Sequence, residues 1–269
     1  MNDSHNIEDT AVQWRNLGLL AAAEMLTMTP WFSASAVVSA LREEWNLSAS
    51  AGAWLTMSVQ IGFVVGTLAT RMFRDRALRL ANLSYLGHMW ELYAMWTWVP
   101  VFMVEVACDR GHPAALGSVV AFAVIAVGGI GCVAAGALAD RWGRTTITVA
   151  AMTASAAALL AALFVAAPLA VLVAILAVWG FTVVADSAQF SAAITELSEP
   201  EYLGRALTLQ TAIGFLLTLF TIQVVPEIVD AGGWSWAFAL LALGPVFGVA
   251  AMLRLRASPE ARKLAGGRG

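Results

Sequence analysis

Four ionisable residues, Glu24, His88, Glu91 and Asp186, fall inside long apolar stretches of this 269-residue chain. In a bilayer a charged side chain at mid-helix costs at least about 2.5 kcal/mol, so each needs a partner or a task. Tyr85, His88 and Glu91 are three residues apart, a spacing that lines them along one helix face. A histidine and a carboxylate on one face can share a proton, and burial and the neighbouring charge act on that proton in opposite senses. Such a pair suits proton-responsive chemistry. It equally suits an interhelical hydrogen-bond cluster that only fixes packing, and both readings stay open. Asp186-Ser187-Ala188-Gln189 is a polar run in a later stretch that can line a cavity, and Glu24 is followed by Thr29-Pro30, a break that frees backbone hydrogen-bonding groups. Metal chemistry has little support: His88-Met89-Trp90-Glu91 lacks the second histidine of an H-x-x-E-H site, because position 92 is leucine. No zinc-protease, nucleophile-elbow or phosphate-loop motif occurs, so neither an enzyme nor a cofactor is expected.

The elements that must position these residues are membrane helices. Hydrophobic residues make up 60% of the chain and charged residues 12%, with a mean hydropathy of +0.76; this is membrane composition. Eight apolar runs, approximately 17–41, 53–72, 80–107, 115–138, 145–166, 169–194, 207–229 and 234–255, are each near or above the roughly 20 residues that cross a bilayer. The expected fold class is therefore all-α, a polytopic transmembrane bundle of about eight spans. With the N-terminus inside, thirteen of the fifteen Lys and Arg residues fall on the cytoplasmic side, leaving only Arg42 and Arg110 outside. The positive-inside rule thus places both termini in the cytoplasm. Arginine outnumbers lysine fourteen to one, a bias expected of a GC-rich bacterial genome. Cys108 and Cys132 fall at the end of one span and inside the next, so no disulfide framework is expected.

Between the fourth and fifth runs stands Gly136-Ala137-Leu138-Ala139-Asp140-Arg141-Trp142-Gly143-Arg144, a charged turn punctuated by glycines. Its glycines permit tight turning and close helix approach, and its charges can pair with one another or with helix ends. The stretch resembles the G-x-L-A-D-R-x-G-R signature of the major facilitator superfamily, a loop joining adjacent helices in those secondary transporters. The resemblance implies a gating loop made of Gly136, Asp140, Arg141, Gly143 and Arg144. It also implies a small-molecule solute, protons or another coupling ion as partner, and multi-pass residence in the inner (plasma) membrane. Nucleic acid is not an expected partner.

On this resemblance the chain divides into a two-span segment 1–72, a six-span unit 73–256 similar to the C-terminal half of a family member, and a cytoplasmic tail 257–269. That is four spans fewer than the family's twelve. The expected function is secondary transport, with Glu24, Tyr85, His88, Glu91, Asp186 and Gln189 along the coupling or substrate pathway. The alternative is a non-transporting remnant or a helix-packing membrane partner.

Overall fold

Backbone groups inside a bilayer must satisfy one another, which leaves helices and closed barrels as the spanning structures. Every regular element among the described residues is helical. The computed structural model describes residues 75–269 together with Arg15, Leu19 and Trp45; runs 17–41 and 53–72, and Glu24 with them, lie outside. The chain divides into two compact units, Met1–Ile61 and Gly62–Gly269, and the architecture below belongs to the second.

Nine α-helices follow one another among the described residues: α1 Arg76–Asp109, α2 Ala114–Trp142, α3 Arg144–Ser155, α4 Ala157–Leu163, α5 Leu169–Val183, α6 Ser187–Leu197, α7 Leu203–Gly232, α8 Trp234–Leu241 and α9 Leu243–Arg256. A short 3-10 segment, Pro259–Gly267, closes the chain. Asp75 starts α1 by accepting the Ala77 and Leu78 N–H groups at 2.8 and 3.0 Å, so two donors at the helix start are satisfied. By length and composition, four helical stretches can cross a membrane: Ala114–Trp142, Leu169–Leu197, Leu203–Gly232 and Trp234–Arg256. The expected run 80–107 lies within the 34-residue α1, whose Trp, Tyr, His and Glu residues make it less apolar than its neighbours. The expected run 145–166 is split at Ala156 into α3 and α4.

The bundle is built around α1, which packs on α9, α7, α2 and α6. Lipid tails are as apolar as leucine, so close backbone approach and buried polar contacts hold such helices together. Gly87 of α1 faces Gly244 and Gly248 of α9, and a Cβ on either Gly87 or Gly244 would run into the opposite backbone. Gly128 of α2 sits against the Gly180 carbonyl of α5 in the same way, while Gly136 faces open space among the described residues. Of the two roles expected of Gly136 and Gly143, turning falls to Gly143, while close approach on α2 falls to Gly128 instead of Gly136. Large apolar side chains such as Phe122, Val133 and Phe247 point outward, a surface suited to lipid and not to water.

Two larger apolar cores lie inside among the described residues, beside a small third around Ala139 and Ile147. One gathers Met95, Phe102, Trp179 and Phe238. The other gathers Leu78, Phe190, Ile194, Leu255 and Leu264 at the end carrying the 140–144 turn. The buried ionisable residues sit between them along α1.

Candidate functional site

Helix α1 presents His88 and Glu91 one turn apart, with exposures of 2% and 1%, and Asp186 on the facing element is 1% exposed. All three are sealed from the surface, where an unpartnered charge is expensive. The partners are not those that spacing along α1 suggests. His88 Nδ1 lies 2.9 Å from Asp186 Oδ1, while Glu91 has two donors of its own: Ser155 Oγ at 2.5 Å and Trp179 Nε1 at 3.3 Å. The histidine thus meets a carboxylate from the join of α5 and α6, and the one-turn neighbours on α1 each look to a different wall. Ser187 Oγ stands 2.9 Å from His88 Nε2, the direction of that bond depending on the tautomer.

The His88–Asp186 contact has the distance of an ion pair but not the alignment of a hydrogen bond. Neither Nδ1 nor Oδ1 finds any other hydrogen-bonding partner among the described residues. Two buried polar atoms held close but misaligned leave part of their desolvation cost unrecovered.

Helix breaks create this geometry. Ser155 is the last residue of α3, where the chain steps through Ala156 into α4. Asp186 stands at φ −90°, ψ −8° just before α6, after α5 has ended at Val183. Irregular backbone at membrane depth is tolerated where protein surrounds it, and here both interruptions deliver a polar side chain to the same interior. Tyr85 completes one side, its ring centroid 6.2 Å from that of His88 and 5.6 Å from Phe190. Gly214 of α7 makes room for Tyr85, since a Cβ there would meet the phenol.

Toward the 140–144 turn the polar line continues. Gln189 Oε1 accepts from Arg144 Nη1 at 3.1 Å, and Arg144 also grips Glu196 Oε1 through Nε at 2.8 Å and through Nη2 at 2.7 Å. Both nitrogens converge on that one oxygen, a charge-assisted contact that leaves Oε2 for another donor. The Glu196 hydrogen bond, followed by its charge, holds the Arg144 guanidinium above its ordinary pKa despite partial burial. Asp140 contributes little: its carboxylate is 3.8 Å from Arg144 and 74% exposed. Arg141 is exposed.

Gly143 adopts φ +92°, ψ 148°, and a Cβ there would strike the Arg268 carbonyl. The terminal segment is folded against this end: Ala265 N–H donates to Glu196 Oε2 at 2.8 Å, and Arg268 Nη1 donates to the Asp140 carbonyl. Leu264 is fully buried.

Sequence reasoning missed Ser155, Trp179 and Glu196. Glu196 alone carried a signal, lying seven residues after Gln189 on the same face of α6. Among other polar groups on α7, Gln210 and Thr218 are buried, Thr208 is half-buried and Thr211 is exposed. No cluster of metal-binding side chains occurs among the described residues.

Long apolar helices, glycine-mediated packing and a buried ionisable cluster define a polytopic α-helical membrane protein. The family model of the Major Facilitator Superfamily matches residues 81–269. The chain belongs to that superfamily, whose members are membrane transporters of small solutes and not enzymes. No individual curated protein matches it.

Proposed function

We propose that this protein is a secondary active transporter that couples movement of a small solute to protons, and that Glu91, with His88 and Asp186, is the proton-responsive element. The observation that carries the reading is the burial of two carboxylates and an imidazole at the join of broken helices, with one contact close but misaligned. Protonation of a group in such a place changes which helix contacts are favourable, and a ligand moves a conformational equilibrium only through such differences. Arg144, Gln189 and Glu196 form the gate on the cytoplasmic side, with the Asp140–Arg144 turn as its hinge. The distribution of basic residues supports a cytoplasmic placement of both termini in the inner membrane. Glu24 is proposed as a further pathway residue on sequence grounds alone.

A packing role has one observation in its favour: both Glu91 oxygens already have donors. Glu91→Gln separates the readings, because the amide keeps the shape and an acceptor while removing the exchangeable charge. In proteoliposomes it abolishes accumulation driven by a pH gradient and spares solute exchange at equal pH if Glu91 couples. A packing residue leaves accumulation intact.

A further inference from the structure

We propose that the groove between α1 and α9 binds an anionic phospholipid, its acyl chain along the groove and its phosphate on Arg254. The contact of Gly87 with Gly244 brings the two backbones together as a floor. Leu83, Leu86, Trp90, Leu243 and Phe247 rise beside it, enclosing about 420 Å³. Leu83, Leu243 and Phe247 remain exposed at 50%, 46% and 68%, so the groove opens sideways toward lipid. Its far end is fixed by the Trp90 indole, whose N–H donates to the Leu240 carbonyl at 3.0 Å.

Length and charge select the occupant. The apolar part runs along the α8–α9 column from Leu240 to Ala251, about 16 Å at 1.5 Å per residue. One leaflet of hydrocarbon is about 15 Å deep, half of the roughly 30 Å core. One helical turn further comes Arg254, the only charged residue lining the groove among the described residues. It is exposed and forms no ion pair among the described residues. A guanidinium binds phosphate oxygens in pairs. Arg256 in the same turn adds positive potential that disfavours the choline of a zwitterionic lipid. A neighbouring groove of about 600 Å³ shares Leu240 and Leu243 but carries Glu227, whose carboxylate repels an anionic headgroup. The selective end is therefore the Arg254 end.

The test is lipid binding to the purified, delipidated full chain, read by native mass spectrometry with dioleoyl phosphatidylglycerol and dioleoyl phosphatidylcholine at equal concentration. Phosphatidylglycerol is expected to bind at least about fivefold more tightly, the weight of one basic residue at an anionic surface. Arg254→Gln brings that ratio close to one, Arg254→Lys retains it, and Arg256→Gln lowers it less than Arg254→Gln does. Ala250→Trp, filling the groove from its open side, weakens both lipids. Equal binding of the two lipids by the unaltered protein overturns the proposal. So does a preference that survives Arg254→Gln, or unchanged binding by Ala250→Trp. Each variant changes an exposed residue, so a monodisperse elution profile serves as the folding control.

Discussion

The hydroxyl of Ser155 and the indole of Trp179 hold the one mid-helix carboxylate of α1, and neither residue announces itself in the sequence. Ser155 is one small residue in the run Ala154-Ser155-Ala156-Ala157, and nothing local says that it ends a helix opposite Glu91. What was legible was the anomaly: His88, Glu91, Asp186 and Gln189 are polar where the chain is otherwise apolar. Their pairing was not legible, because it depends on the register of α6 against α1, a tertiary quantity. Removing one donor tests the reading at this scale. Ser155→Ala should lower stability by about 1–3 kcal/mol, the cost of stranding a buried acceptor, seen as a reduced melting temperature in detergent. Gly143→Ala should cost a similar amount, of order 1–3 kcal/mol, since φ +92° with ψ 148° is backbone that only glycine adopts readily. It should also displace the terminal segment, detected as faster tryptic cleavage at the exposed Arg262 and Lys263. Unchanged cleavage would show that the segment docks independently of Gly143.

Among elements, the glycines divide into those that touch backbone and those that do not. Gly244 and Gly248, four apart in the sequence, pack as a small-residue stripe does. On α2, spacing alone does not show that Gly128 touches a neighbouring helix and Gly136 does not, because the sequence carries no record of where a neighbouring helix diverges. Gly244→Ala should therefore destabilise the protein by about 1–3 kcal/mol through overpacking. Gly136→Ala should leave stability unchanged or raise it by up to about 1 kcal/mol, from helix propensity alone. Thermal unfolding of the two variants side by side decides the matter, and equal losses would contradict the assignment of contacts. The helix breaks at Ala156 and at 184–186 were likewise invisible to an apolar-run reading, which sees only uninterrupted hydropathy. Across the proposed gate, Arg144→Ala and Glu196→Gln should each alter solute exchange rates by about 3- to 10-fold, equivalent to roughly 0.7–1.4 kcal/mol. Equilibrium affinity should move less, since gate contacts act on the conformational equilibrium. Affinity changes larger than the rate changes would place the pair in the solute site instead.

For the molecule as a whole, composition and the G-x-L-A-D-R-x-G-R turn made the helical membrane class and the superfamily legible, and the family match over 81–269 accords with both. The proposed orientation has its own check. A cytoplasmic reporter joined after Gly269 should be active, and one inserted at Gly111, in the α1–α2 turn, should be silent; the reverse pattern would invert the topology. The central claim is that a buried carboxylate couples protons to solute, and its most direct measurement is pH-gradient-driven uptake into proteoliposomes. The solute is one that the unaltered protein accumulates, found by screening labelled sugars, amino acids and organic acids. Glu91→Gln, folded and still able to exchange that solute at equal pH, should accumulate none of it under an imposed gradient. Normal accumulation by Glu91→Gln would contradict the account and leave Glu91 as a packing residue.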